Sequence, residues 1–284
     1  MVLESSVLAQ GLPFPESLAA ARACDAAVRR AGALPAVVAV LAGRVRCGLA
    51  AAEVEALARG NERPRKVGAR DLAAVVVGGG SGGTTVSATC AVAGALGLPV
   101  FATGGIGGVH RGGSGDVSED LHALARFPGM VVCAGAKSVL DLPRTLEALE
   151  SLGILVVGFR TSTFPAFHAA SSGLPLQHRV EDVAAAAELL VAHRDRLGQP
   201  GALLLCVPPP AGASLDAGEL EAALQSAEAE AARQGISGQA LTPFLLSDLA
   251  RSTGGRTLRA NLALLEENAR VAAEVAVAYA ARAG

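Results

Sequence analysis

Short, continuously apolar runs alternate with alanine-rich helical segments along this chain of 284 residues, 51% of which are hydrophobic. Strand-length runs that are apolar at every position are typical of strands buried on both faces, as in parallel sheets covered by helices. The pattern therefore predicts an α/β fold with a mostly parallel sheet covered by helices on both faces. Because no internal repeat or low-complexity linker divides the sequence, we predict a single domain over residues 1–284.

The apolar runs and the helical periodicity give the bounds of the expected elements. The predicted strands are Val37–Leu41, Arg44–Leu49, Ala73–Val77, Val100–Thr103, Met130–Ala134, Ile154–Phe159 and Leu203–Val207, the first two forming a hairpin. The predicted helices are Thr85–Leu96, Val117–Arg126, Leu142–Leu152, Val183–Leu197, the peripheral acidic segment Asp216–Gln234 and the long amphipathic segment Leu258–Arg282.

Composition argues against several classes of protein. The formal net charge is −2 and the chain has no tryptophan and one tyrosine, so neither a basic nucleic-acid footprint nor a base-stacking surface is expected. The five cysteines show neither zinc-site nor CxxC spacing, and we interpret them as small buried residues in a reducing cytoplasm. No signal peptide or membrane-spanning run is evident. We therefore expect a cytoplasmic protein that binds neither nucleic acid nor membrane.

Lysine is almost absent from the chain, since only Lys66 and Lys137 among its 24 basic residues are not arginine. A lysine amine can lose its proton and attack a carbonyl, whereas a guanidinium stays protonated. Lys137 follows an apolar run and a glycine turn, where a surface lysine is less expected, so it is a candidate for a Schiff base. The alternative is that Lys137 serves only as a counter-ion for a phosphate. For Lys66, chance retention and function stay equally open on this argument.

Glycine-rich loops follow several predicted strands. In open α/β sheets, ligands bind beyond the carboxyl ends of the strands. The loop Gly78–Thr85 combines glycines with the hydroxyls of Thr84 and Thr85 before a helix, which suits a phosphate; a tight turn is the alternative. The loop Gly104–Gly113 contains His110, for which packing alone offers little reason.

Three acidic residues follow the histidine loop, at positions 116, 119 and 120. Asp116 could cap a helix, and Glu119 fits the ordinary preference for acids in a first helical turn. One carboxylate could instead hold a divalent cation through oxygen ligands and water. From the residues alone, Asp116 and Asp120 both remain open for that role.

Longer motifs resemble one family along nearly the whole chain and in the right order. They are ESSVLAQGLP at 4–13, FATGGIGGVHRG at 101–112, VCAGAKS at 132–138, GFRTSTFPAF at 158–167, LTPFLL at 241–246, NLAL at 261–264 and NA at 268–269. These motifs are similar to those of the pseudouridine-5'-phosphate glycosidases, the indigoidine synthase A-like family. The long glycine–histidine motif and the lysine motif are specific enough to make coincidence a poor explanation.

The resemblance implies an enzyme of the glycosidase or lyase class that reversibly cleaves the C–C glycosidic bond of pseudouridine 5'-phosphate, giving uracil and ribose 5-phosphate. It also implies a three-layer α/β/α fold with a central mixed, mostly parallel sheet, one divalent metal per subunit, typically Mn²⁺, and a homotrimer. By motif, the implied catalytic residues are Lys137, which forms a Schiff base with ring-opened ribose, and Glu4, which transfers protons. The remaining implied site residues are the metal ligand Asp120 and the substrate-binding residues Lys66, His110 and Asn261, the last for uracil. Thr84 and Thr85 of the glycine loop and Ser138, which follows Lys137, are further candidates for substrate binding.

Two other functions compete with this prediction. A Schiff-base aldolase or lyase acting on another sugar phosphate would use the same lysine and phosphate loop, but it would not release uracil. A sugar-phosphate binding protein without catalysis would bind ribose 5-phosphate and condense nothing. The second alternative is less favoured because six residues occur together: Glu4, Lys66, His110, Asp120, Lys137 and Asn261.

Overall fold

Most of the predicted apolar runs lie in a ten-stranded sheet. The computed structural model of the chain describes residues 1–60, 64–112, 115–236 and 241–283, so Gly113 of the predicted histidine loop lies outside the described residues. The strands β1–β10 are Val2–Leu3, Ala36–Leu41, Arg44–Cys47, Arg65–Val67, Gly82–Thr84, Val100–Ala102, Met130–Cys133, Leu155–Phe159, His178–Val180 and Leu203–Cys206. The helices α1–α10 are Glu16–Arg30, Ala51–Arg59, Leu72–Val77, Val86–Ala95, Glu119–Leu124, Leu142–Ser151, Val183–Leu190, Ala217–Arg233, Leu241–Ser252 and Arg256–Ala283.

The strand order is β4-β5-β2-β1-β6-β7-β10-β8-β9, and β3 pairs with β2. All pairings are parallel except those of β2 with β3 and with β5. The predicted mixed, mostly parallel sheet is therefore confirmed. Strands β1, β6 and β7 are neighbours in its centre, so the segments that leave their carboxyl ends start side by side.

Alternate residues of the central strands contribute to two separate cores, because successive side chains of a strand face opposite sides of the sheet. In β7, Val131 and Cys133 belong to one core while Met130 and Val132 belong to the other. The first core is covered by α4, α5, α6, α8 and α9, and the second by α1, α7 and α10. This arrangement confirms the three-layer α/β/α fold. The five cysteines are free, and all but the half-buried Cys47 are buried.

The predicted strand Ala73–Val77 is wrong, because this run forms most of helix α3. Ala73, Ala74 and Val77 are exposed, with Val77 88% accessible, so the run does not occupy the buried centre of the sheet. A short apolar run does not distinguish a strand from a helix by periodicity. The glycines that follow belong to two elements, since Gly78–Gly80 end α3 whereas Gly82 and Gly83 pair in β5.

Most predicted helices begin or end within two residues of the observed ones. The exception is the predicted helix Val183–Leu197, in which α7 ends at Leu190 and the next turns widen to a π-helix over Val191–Arg196. The helices α1, α2 and α9 and the strands β1, β4, β5 and β9 were not predicted. No helix in the described part of the chain is long and apolar enough to cross a membrane.

Candidate active site

The candidate site lies at the carboxyl ends of the central strands. Glu4 directly follows β1, Thr103 directly follows β6, and Lys137 lies on the turn after β7. The glycine loop after β6 runs beside this turn: Lys137 N donates to Ile106 O over 3.1 Å, and Ile106 N donates to Gly135 O over 3.1 Å. These bonds extend the sheet beyond β6 and β7 and fix the backbone on both sides of the site.

The turn before Lys137 depends on Gly135. Its φ of +77° lies in the left-handed region that favours glycine, and a Cβ there would lie 2.2 Å from Pro165 O. Phe167 N also donates to Ala134 O over 3.0 Å, so the loop after β8 packs against this turn. The position of Lys137 is therefore set by close backbone packing rather than by a mobile loop.

Glu4 is buried, with 9% of its surface exposed, and hydroxyl groups hold both of its carboxylate oxygens. Ser6 Oγ donates to Oε2, and Thr103 Oγ1 donates to Oε1. Hydroxyl donors of this kind orient a carboxylate without adding charge. Glu4 therefore has a defined orientation beside the end of β6.

Asp120 is buried, with 6% of its surface exposed, and its two oxygens accept backbone amides from two different loops. Ser87 N donates to Oδ1 over 2.9 Å, and Gly107 N donates to Oδ2 over 2.8 Å. The first amide belongs to the N-terminus of α4, where a negative charge is favoured by the helix dipole. Asp120 therefore connects α5, α4 and the glycine loop after β6.

The electrostatics of Lys66 reflect the charges of Lys137 and of these two carboxylates. Part burial of the Lys66 amine and the nearby positive charge of Lys137 lower the pKa of Lys66, although the residue as a whole is exposed. The negative charges of Asp120 and Glu4 oppose this lowering. Burial and the same two carboxylates raise the pKa of the Cys90 thiol. Lys66, Lys137, Glu4 and Asp120 therefore form one cluster, although β4 lies four strands away from β6.

The two threonines of the predicted phosphate loop have different surroundings. Thr84 is fully buried, and its hydroxyl donates to Val38 O over 2.6 Å and accepts from Thr89 over 3.1 Å. These bonds connect β5 to β2, so the Thr84 hydroxyl is used inside the protein. Thr85 is half-buried and caps α4, accepting from Ala88 N over 3.5 Å. Of the two, only Thr85 is placed where its side chain can reach a ligand.

Ser138 forms a buried pair that the sequence did not reveal. Ser138 Oγ lies 3.0 Å from Nδ1 of His168, and the two residues are 4% and 2% exposed. Burial lowers the pKa of His168 to about 3, so its imidazole is neutral at neutral pH. Ser138 also lines a cavity of about 460 Å³ between α6, α8 and the loop after β8. The side chain next to Lys137 is thus oriented by a neutral histidine.

His110 and Asn261 are both half-buried. His110 is half-buried, and its backbone N donates to Asp116 O over 2.9 Å. Asn261 lies in α10, two helical turns before Asn268, and seven residues bring a side chain back to nearly the same helix face. Asn268 Nδ2 donates to Thr103 O over 2.8 Å at the end of β6. The Asn261 side chain therefore extends the same face of α10 past the end of the sheet.

The described residues contain no group of three or more His, Cys, Asp or Glu side chains arranged to hold a metal ion. Asp120 also uses one lone pair of each oxygen for a backbone amide. With so few protein ligands, the Asp120 site fits only a cation that takes most of its ligands from water or substrate. Mg²⁺-like ions bind in this way when one or two carboxylates hold them. Asp116 is exposed beside the same helix and stays open as an alternative ligand.

The buried His168 makes stability depend on pH. Its folded pKa of about 3 lies below its unfolded value near 6.5, so the unfolded chain binds the extra proton first and stability falls as the pH drops below about 6.5. We expect His168 to account for a loss of about 1.4 kcal/mol of unfolding free energy between pH 7.5 and 5.5. Urea unfolding at both pH values measures the loss, which His168→Gln should reduce and exposed His178→Gln should not. Equal losses in all three proteins would contradict this assignment.

Several residues of the site were missed from the sequence: Ser6, Ser87, Thr103, His168 and Asn268. Serine and threonine are common and carry no positional signal in a single sequence. His168 directly follows the GFRTSTFPAF motif and is one of only five histidines, which was the available signal.

The fold and the cluster together define an α/β enzyme with two lysines and two buried carboxylates at the carboxyl edge of its sheet. Comparison with known proteins then identifies the family. Residues 1–278 match the model of the indigoidine synthase A-like proteins. The chain belongs to this family, as the sequence motifs predicted.

Curated relatives and solved structures agree with this assignment. The chain is 55% identical to the pseudouridine-5'-phosphate glycosidase of Myxococcus xanthus, over 99% of this chain and 93% of that protein. It is 49% identical to the protein of that name from Chloroflexus aurantiacus, over 98% and 92% of the two chains. An indigoidine synthase A-like protein from Thermotoga maritima matches with a TM-score of 0.90 and 38% identity, over 98% and 91% of the two chains. The prealnumycin C-glycosynthase AlnA, in complex with ribulose 5-phosphate, matches with a TM-score of 0.90 and 37% identity, over 99% and 92%. The prediction that the chain is an enzyme is therefore confirmed.

Proposed function

We propose that this enzyme reversibly cleaves the C–C glycosidic bond of pseudouridine 5'-phosphate to uracil and ribose 5-phosphate, through a Schiff base on Lys137. The observation that carries the proposal is the cluster of the only two lysines of the chain with Glu4 and Asp120 at the sheet edge. The names of the curated relatives and the sugar phosphate bound to AlnA support the substrate class.

The chemistry explains the need for a lysine. A C–C glycosidic bond has no leaving oxygen to protonate, so the paired carboxylates of ordinary glycosidases would not suffice. In the synthetic direction, the Lys137 amine adds to the C1 aldehyde of open-chain ribose 5-phosphate and loses water, giving an iminium ion. Uracil C5 attacks this carbon, and Glu4 removes the C5 proton. The 4-hydroxyl of the sugar then displaces the Lys137 amine from C1, which closes the ring and frees the lysine. In the reverse direction the amine displaces the ring oxygen from C1, C5 is protonated, and the nitrogen lone pair forms the C=N bond as the C–C bond breaks. Water then hydrolyses the iminium ion and releases ribose 5-phosphate.

Lys66 and Thr85 are proposed to bind the substrate phosphate. Lys66 is the second cation of the cluster, and Thr85 caps the N-terminus of α4, which favours anions. Asp120 already takes Ser87 N at this helix end, so the phosphate would rely mainly on the Lys66 charge. Holding the phosphate fixes C1 of the sugar near Lys137.

Asn261 is proposed to bind uracil. Its Oδ1 is one of two buried side-chain polar atoms without a hydrogen-bond partner within the described residues. A buried acceptor without a donor is costly, and an N–H group of uracil would satisfy it. The same amide offers donors to a uracil carbonyl, which would distinguish the base from an apolar group.

A divalent metal, with Mn²⁺ expected, is proposed at Asp120, where it would supply positive charge for the phosphate and for hydroxyl groups of the sugar. Asp120→Asn replaces one acceptor of a backbone amide by a donor, so we expect it to lower the unfolding free energy by about 1–3 kcal/mol and to weaken Mn²⁺ binding. Calorimetric Mn²⁺ titration of this variant and of Asp116→Asn checks the metal part. Weakened binding only in Asp116→Asn would transfer the ligand role to Asp116.

The proposed function is tested by incubating the purified protein with uracil, ribose 5-phosphate and Mn²⁺ and detecting pseudouridine 5'-phosphate by mass spectrometry. Formation of this product supports the proposal. Cleavage of a sugar phosphate to an aldehyde or ketone without uracil chemistry would favour an aldolase instead. The homotrimer stays a prediction.

A further inference from the structure

We infer that Thr103 is the positioning residue that aims the Glu4 carboxylate, and that Asn268 holds Thr103 in place for this purpose. The inference rests on the proposed role of Glu4 in proton transfer. It goes beyond that role because neither the sequence motifs nor the relatives assign a task to Thr103 or Asn268.

Three contacts form a chain from α10 to the carboxylate. Asn268 Nδ2 donates to Thr103 O over 2.8 Å and to Gly104 O over 3.2 Å. The Thr103 hydroxyl in turn donates to Glu4 Oε1. The exposed fractions of Asn268, Thr103 and Glu4 are 1%, 2% and 9%, so water does not compete freely for these bonds.

The backbone around Thr103 shows why this support is needed. Thr103 N donates to Val132 O over 3.0 Å, which continues the pairing of β6 with β7. The next residues turn into the glycine loop, where Gly104 O accepts Ala134 N over 2.9 Å. Asn268 binds the two carbonyls at the point where the strand becomes this loop. Its amide therefore fixes the peptide orientation that determines where the Thr103 hydroxyl lies.

Ser6 holds the other oxygen of Glu4, but it differs from Thr103 in its support. Ser6 lies two residues from Glu4 on the same segment and is only half-buried, so it moves with the carboxylate. Thr103 directly follows the neighbouring strand β6, so it holds the carboxylate from outside that segment. The orientation of the Glu4 carboxylate relative to Lys137, which lies beyond β7, therefore depends on Thr103.

Thr103→Val keeps the shape of the side chain and removes its hydroxyl. We expect kcat for synthesis of pseudouridine 5'-phosphate to fall about 10²-fold, the scale of a misplacement near 1 Å, while KM for ribose 5-phosphate changes little. Thr103→Ser restores the hydroxyl and should recover most of kcat. Thr103→Ala removes the same hydroxyl without adding volume and replaces the valine variant if valine does not fold.

Asn268→Asp and Thr257→Val complete the test. Asn268→Asp places acceptors against the two carbonyls and should lower kcat in the same way as Thr103→Val. Thr257→Val removes a buried hydroxyl of the same helix that lies 3.3 Å from Thr253 Oγ1, and it should leave kcat unchanged. A merely structural role for Thr103 would lower the melting temperature without separating kcat from KM.

Glu4→Gln separates this inference from the proposed function. If Glu4→Gln is inactive but Thr103→Val keeps full kcat, the positioning role of Thr103 is overturned. If both variants keep full kcat, Glu4 does not transfer the proton and the inference fails with it. If the unchanged enzyme forms no pseudouridine 5'-phosphate at all, the proposed function itself fails.

Discussion

Lys137→Ala is expected to lower turnover by at least about 10⁴-fold, the scale observed when a covalent nucleophile is removed from an enzyme. Without the amine, no iminium ion forms at C1, and uracil C5 has no carbon electrophilic enough to attack. The backbone around Lys137 is held by Ile106, Leu140 and the packing of Gly135, so the variant should remain folded. The measurement is the initial rate of pseudouridine 5'-phosphate formation, with the melting temperature as a check of folding.

Trapping identifies the nucleophile directly. Borohydride added with ribose 5-phosphate should reduce the iminium ion and leave a covalent sugar phosphate on Lys137, located by peptide mass spectrometry. Lys66→Ala is the matched control, because it removes the only other lysine of the chain. This variant should still form the adduct, with a raised KM for ribose 5-phosphate. An adduct on Lys66, or normal turnover of Lys137→Ala, would contradict the assigned roles.

Gly107→Ala is expected to destabilise the protein by about 3 kcal/mol and to abolish most activity. A Cβ at this position would lie 2.2 Å from Ser118 Oγ and 2.8 Å from Asp120 Oδ2, both well inside contact distance. Overpacking of this kind costs about 1–3 kcal/mol, and here it also disturbs the carboxylate that accepts Gly107 N. The glycine loop and α5 would have to separate, which moves Asp120 away from the two lysines.

Gly212→Ala is the matched control for this prediction. No atom lies within 4 Å of a Cβ at Gly212, and its φ does not lie in the left-handed range, so stability and rate should stay unchanged. Chemical denaturation and the synthetic rate are measured for both variants. A Gly107→Ala protein as stable and active as the control would show that α5 can move without cost and that Asp120 is not held as described.

The sequence predicted the central strands well because their burial leaves a strong pattern. β7 and β10 are fully buried on both faces, and their residues are apolar at every position. The same criterion failed for α3, which is equally apolar although half of its residues are exposed. It also missed β1 and β5, two or three residues long, whose pairing is decided by distant strands rather than by their own sequence.

Only some residues of the candidate site could be predicted from the sequence. Rare residue types stood out, whereas the hydrogen bonds of common hydroxyl side chains did not. Lys66 and Lys137 stood out because lysine is rare in this chain, and the charges of Lys137, Asp120 and Glu4 all act on Lys66. The roles of these four residues stay predictions. The Thr84 hydroxyl did not follow the prediction, since its bonds depend on the tertiary pairing of β5 with β2. No single-sequence pattern shows which hydroxyl donates inward.

The two amides that hold Asp120 restrict the ways in which this enzyme could diversify. A glutamate is longer by one methylene group, about 1.5 Å, and its carboxylate would overshoot Ser87 N and Gly107 N together. Replacement of Asp120 by glutamate, the simplest change that could alter the ion or sugar preference, is therefore not compatible with these two hydrogen bonds. New specificities in such a framework would have to arise from the surrounding loops, for example near the half-buried Asn261, while the aspartate itself stays the same.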